Sequence, residues 1–145
     1  MTTLQDAVAI GRKDGNLAVV STLRGDGTLQ CSVVNAGVLT HPVGGGEVVG
    51  FVTYGRAKLA NLRQRPQIGV TFRAGWQWAT VEGTAELIGP VDPHPDIDDD
   101  GLRLLLRHVF TAAGGDHDDW DAYDRAMVDE GRTAVLVTPT RVYSG

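Results

Sequence analysis

The chain has 145 residues, 42% of them hydrophobic, with 13 Lys/Arg against 18 Asp/Glu for a net charge of −5. That length and apolar fraction suit one globular domain, 1–145, large enough to bury a core, and the acidic balance argues against a nucleic-acid binder. The single cysteine, Cys31, excludes an intrachain disulfide, and no apolar run reaches the length of a membrane span, so a cytoplasmic protein with no membrane partner is expected.

In chain order, residues 2–15 read as a helix capped by Thr3, with Asp6 in its first turn and Gly15 at its close. Residues 16–23 form a strand, the RGDG at 24–27 a hairpin turn, and 28–40 the returning strand. After the loop at 41–46, residues 47–54 are a strand and 57–65 a short helix stopped by Pro66. Residues 67–73 and 76–89 pair as antiparallel strands across a turn at Ala74 and Gly75. A loop rich in Asp and Pro leads to two helices, 102–113 and 119–130, and 133–145 supply one or two closing strands. Six or so antiparallel strands plugged by helices point to a mainly β fold, a small barrel.

Several chemistries are excluded by their missing residues. The DIDDDG at 96–101 matches the front of a calcium loop, but Arg107 stands where the bidentate glutamate belongs, so the segment reads as a helix-capping loop. The glycines at 44–46 precede a strand and cannot form a dinucleotide fingerprint. There is no phosphate-binding P-loop and no nucleophile elbow. His41, His94, His108 and His117 show no metal-ligand spacing, and Cys31 reads as a small buried apolar residue. A cofactor-borne reaction or plain binding remains.

One segment carries charge against the general trend. Residues 1–90 hold eight Lys/Arg and six Asp/Glu, a balance of +2, whereas 91–145 hold five and twelve, a balance of −7. Within 51–70, Arg56, Lys58, Arg63 and Arg65 occur without an acidic residue between them. Arg56 and Lys58 flank the start of a helix, where free N–H groups and the positive dipole end favour an anion. Thr53 offers a hydroxyl at the end of the preceding strand, and Asn61 lies one turn beyond Lys58. The plain alternative is a surface helix carrying solvated cations.

The order FVTYGRAKLANLRQRPQIGVTF, then WQWATVEGTAELIG, then TPTRVYSG resembles the pyridoxamine-phosphate-oxidase-like split β-barrel family. Within it, the chain is most similar to the flavin/deazaflavin oxidoreductases of the B group, which use coenzyme F₄₂₀ or FMN. The resemblance implies a homodimeric split β-barrel (FMN-binding-like) with cofactor sites at the subunit interface. It also implies hydride transfer from F₄₂₀ to an electron-poor double bond of a small-molecule acceptor. An FMN-dependent reductase, or a non-catalytic cofactor carrier, is the alternative.

By the same resemblance, Thr53, Arg56, Lys58 and Asn61 grip the anionic part of the cofactor, while Arg63 and Arg65 stay solvated. Ser32, Val33, Val34 and Asn35 line the ring system. Trp78 and Ala79 lie on the strand that supplies the partner wall, and Arg141 lies on the closing strand, although either or both of Trp76 and Trp78 also fit a barrel core. FMN-type relatives carry an Arg-x-x-x-Leu-Lys pattern on the strand that here reads QCSVVNAGVL, with Gln30 and Asn35 nearby. Its absence favours the deazaflavin reading. The helices at 102–130 are expected to cover or narrow the pocket.

Overall fold

A computed structural model describes all 145 residues. Four helices and seven strands follow in the order α1 (Leu4–Arg12), β1 (Leu17–Leu23), β2 (Leu29–Asn35), β3 (Gly37–Thr40), β4 (Glu47–Thr53), α2 (Arg56–Gln64), β5 (Gln67–Ala74), β6 (Gln77–Ile88), α3 (Asp99–Ala112), α4 (Trp120–Asp129) and β7 (Thr133–Ser144). The strands form one antiparallel sheet in the order β2-β1-β5-β6-β7-β4-β3, which curls until β2 lies against β4. This is a split barrel.

Alternation along the strands separates two cores. Inside the barrel, Val20, Phe51, Val70, Phe72, Val81 and Val137 are fully buried and meet Ala7 and Val8 of α1, which plugs one end. Burying each such side chain is worth roughly 1.5–3 kcal/mol. On the opposite face of β4 and β7, Val48, Ala134 and Leu136 pack against Leu105, Leu106 and Val109 of α3 and Tyr123 of α4. The helical hairpin thus covers one half of the sheet from outside.

Local signals explain most element ends. Thr3 and Asp6 form a reciprocal capping box on α1. Asp98 caps α3 by accepting from Gly101 N at 2.7 Å, and Asp119 caps α4. The 96–101 segment is therefore the cap that was expected, although α3 begins at Asp99 instead of Leu102.

Four other expectations are corrected. The strand read across 28–40 breaks at Ala36, because Ala36 N donates to Asn16 O instead of joining a ladder, and the chain changes partner from β1 to β4. That break makes seven strands. Cys31 is exposed, since it falls on the outward phase of β2. Neither Trp76 nor Trp78 is in the core: Trp76 is 99% exposed at the β5–β6 turn, and Trp78 packs edge-to-face on Tyr143 outside the barrel. Arg63 and Arg65 are engaged, Arg63 with Asp92 through two hydrogen bonds and Arg65 with the carbonyl of Leu23.

Candidate functional site

The centre of the site is Lys58, in the first turn of α2. The strand β4 ends at Thr53, and Gly55 serves as N-cap of α2 without a side chain to occupy the first N–H groups. The other three helices are capped by the side chains of Thr3, Asp98 and Asp119. Lys58 is only 5% exposed, and its Nζ donates to Thr53 Oγ1 at 3.2 Å. The Thr53 hydroxyl oxygen also accepts from Gly55 N at 3.1 Å. The ring of Phe51 lies 5.8 Å from the ammonium.

No carboxylate pairs with Lys58, and burial lowers its pKa below the ordinary lysine value. A buried ammonium held by one hydroxyl and one aromatic ring is incompletely compensated. Arg56, at the first position of α2, is exposed and forms no ion pair, so a second cation stands free at the same helix end. Of the four residues expected to grip the anion, Lys58 and Thr53 are in contact with each other, and Arg56 stands at the same helix end.

Asn61 is directed elsewhere within this region. Its Nδ2 donates to Thr22 Oγ1 at 3.0 Å, and the Thr22 hydroxyl donates in turn to Gln30 Oε1 at 3.1 Å. Asn61 therefore ties α2 to β1 and the start of β2. This link, together with Arg65 on Leu23, was not visible in the sequence, since it joins residues about forty positions apart.

On β2, Ser32 and Val34 point toward the barrel while Val33 and Asn35 point out. Ser32 Oγ is buried and is the one such side-chain oxygen or nitrogen without a hydrogen-bond partner. Orphaned buried hydroxyls are uncommon in native folds. Asn35 Nδ2 donates to Gly15 O at 2.9 Å, leaving its Oδ1 free.

The remaining candidates lie on the sheet's far side. Trp78 faces outward, whereas Ala79 is fully buried in the barrel, so the two cannot line one wall with their side chains. Arg141 is exposed and sits opposite Glu82 in the β6–β7 register, where a bulge separates Glu82 from Gly83. Glu82 itself accepts from Tyr143 Oη at 2.6 Å, and this hydrogen bond raises the Tyr143 pKa.

The outer face of β1, β2, β6 and β7 carries Leu17, Val19, Leu29, Val33, Trp78 and Tyr143, each at least 37% exposed. Strand pairing sets Val19 beside Val33 and places Leu23 beside Leu29. The outward apolar side chains thus fall on two strand pairs, β2–β1 and β6–β7, separated by Gln67, Thr71 and Arg73 of β5, and such clusters are unusual for a sheet face turned to water.

Comparison with known proteins extends these observations. The family model described as pyridoxamine 5′-phosphate oxidase matches residues 4–144. A conserved hypothetical protein from Mycobacterium tuberculosis superposes with a TM-score of 0.68 at 16% identity, over 99% of this chain and 84% of that one. An F₄₂₀ reductase superposes with a TM-score of 0.62 at 17% identity, over 99% and 98% of the two chains. A pyridoxamine 5′-phosphate oxidase-related, FMN binding protein from Nostoc punctiforme gives a TM-score of 0.64 at 15% identity, over 97% and 80%. At such identities the likeness is one of fold.

Proposed function

The chain belongs to the pyridoxamine 5′-phosphate oxidase family, and from that membership we infer an F₄₂₀-dependent oxidoreductase acting on a small organic acceptor. The observation that carries this reading is Lys58, buried with no counter-ion at the uncapped start of α2. An anionic group beside it supplies the missing compensation, and Arg56 adds a donor fork at the rim. Thr53 orients the ammonium. Ser32, with its orphaned buried hydroxyl, offers a hydrogen bond on the strand assigned to the ring. These residues fit a cofactor that is polyanionic at one end and flat at the other.

The cofactor supplies the hydride when bound, and the chain's own residues bind, orient and exclude water. The deazaflavin is preferred over FMN because β2 lacks the two cations of the FMN-type pattern. Gln30, near where they would stand, is committed to Thr22. Asn61 keeps α2 at a fixed distance from β1 and so positions Lys58.

A homodimer belongs to the same reading. The outward apolar side chains on β1 and β2 and on β6 and β7, either side of β5, form the surface a second copy would cover, and Trp78 lies within it. Trp78, not Ala79, is then the side chain available to a neighbouring site.

The test is fluorescence titration of the full chain with F₄₂₀ and with FMN, repeated on Lys58→Ala and Arg56→Ala. Micromolar F₄₂₀ binding that both substitutions weaken is expected. Binding of FMN alone, or F₄₂₀ binding indifferent to both substitutions, sinks the reading.

A further inference from the structure

Consecutive residues of β4 face opposite ways, and this gives the end of the strand two different neighbours. Thr53 points to Lys58. Val52 points into a cavity of about 390 Å³ between the sheet and the α3–α4 hairpin. That volume falls in the range of small-molecule pockets, about 300–1,000 Å³. Phe110, Tyr123 and Met127 supply the apolar wall, and Asn35 reaches the cavity from the end of β2.

Arg132, just before β7, is the one charged residue lining this space. Its guanidinium is oriented from two sides. Nε donates to Glu130 Oε2 at 2.6 Å, and the plane lies 4.0 Å from the centre of the Tyr54 ring. Neither contact uses Nη1 or Nη2, which have no acceptor in the protein. A guanidinium held in this way has a free edge suited to a carboxylate. The Phe110 and Tyr123 rings, 4.9 Å apart at their centroids, favour a flat body. Close to them, Gly115 lies against the Phe110 ring, where a Cβ would come within 2.5 Å of it.

We propose that the cavity beneath the α3–α4 hairpin binds a flat, conjugated organic carboxylate, with the Nη edge of Arg132 holding the carboxylate and Phe110 and Tyr123 contacting the planar body. Asn35 joins this cavity to the strand assigned to the cofactor ring, so the ligand is placed as the acceptor. That last assignment rests on the cofactor reading, whereas the binding site itself does not.

The test is calorimetric titration of the full chain, without cofactor, using naphthoate and its neutral isostere naphthamide. Naphthoate is expected to bind about tenfold more tightly than naphthamide, the worth of one charge-assisted contact. Arg132→Gln should erase this preference and Arg132→Lys should retain part of it, with circular dichroism confirming that both variants fold. Because the two ligands are compared on the unmodified chain, the central result needs no variant. Equal affinity for the two ligands, or no binding of either, overturns the proposal. So does loss of naphthoate binding in Lys58→Ala but not in Arg132→Gln, which would place the anion on the other face of β4. A parallel F₄₂₀ titration separates the two readings: naphthoate selectivity without F₄₂₀ binding supports the pocket and rejects only its use as an acceptor site.

Discussion

Lys58 and Thr53 form a hydrogen-bonded pair at 3.2 Å in which the ammonium is almost wholly buried and faces no carboxylate. Such a pair costs stability in the free protein and is useful when an anion arrives. Lys58→Met should therefore stabilise the protein without ligand while weakening F₄₂₀ binding tenfold or more, on the order of 1.4 kcal/mol. Thermal unfolding with and without cofactor checks both halves. A variant destabilised in each condition would mean that Lys58 is structural.

The depressed pKa of Lys58 gives a second, independent signature. Between its folded value and the ordinary 10.5, the unfolded chain binds the proton and the folded chain does not. Stability from this group therefore rises with pH across that window. The penalty is fully present below the folded value and is relieved as pH climbs through it. Denaturant midpoints measured through the alkaline range, compared between the unmodified chain and Lys58→Met, should show a rise that only the former possesses. A flat difference contradicts the burial argument.

The outward pair Val19 and Val33 joins β1 to the edge strand β2 within the exposed apolar surface. Val33→Asp places a charge on this surface without touching either core, because Val33 is 62% exposed. If a second copy covers the face, the substitution should convert a dimer to a folded monomer, since an unpaired buried charge is costly. Light scattering after size exclusion reads the mass directly. A dimer unaffected by Val33→Asp would locate the interface elsewhere.

Most of the barrel was legible in the sequence because strand alternation and turn residues are local signals. Thr3 and Pro66 announced their element boundaries for the same reason, whereas the capping loop at 96–101 was legible but its cap, Asp98, and the start of α3 three residues before Leu102 were not. What escaped were features set by distant residues. Asn16, at φ 62, takes the N–H of Ala36 and divides one apparent strand into two. Asn61 and Arg65 find partners on β1 that no spacing rule connects to them. Lys58 and Arg56 look alike as sequence, yet one is buried and the other solvated, because only the helix phase against β4 distinguishes them. Arg132 gave no signal as a site residue, since its contacts with Tyr54 and Glu130 depend on how α4 returns to the sheet.

Gly37 opens β3 where α3 ends against it. A Cβ there would stand 1.9 Å from the carbonyl oxygen of Ala112, so backbone would have to separate from backbone. Gly37→Ala should loosen the α3 terminus and cost roughly 1–3 kcal/mol, in the range of overpacking. Hydrogen exchange should show the loss concentrated in α3 and α4, with α1 and the β1–β5 ladder unchanged. Uniform loss across the barrel would argue that the two cores unfold as one unit.

Tyr123 links α4 to α3 by donating its hydroxyl to the carbonyl of Leu106 at 2.9 Å, and it is 5% exposed. Burial raises its pKa from 10.0 to about 12. The sign follows from proton binding: between these values the folded chain keeps a proton that the unfolded chain releases. The contribution is therefore complete below pH 10 and is lost as pH rises toward about 12. Tyr123→Phe should cost about 1 kcal/mol at neutral pH through the missing hydrogen bond. It should also flatten the decline of stability above pH 10, the opposite slope to that from Lys58. Combining Tyr123→Phe with Lys58→Met separates the two contributions, because the residues sit in different cores and their effects should add. An alkaline profile in Tyr123→Phe that matches the unmodified chain would show the hydroxyl to be solvated, and the α3–α4 interface looser than its packing implies.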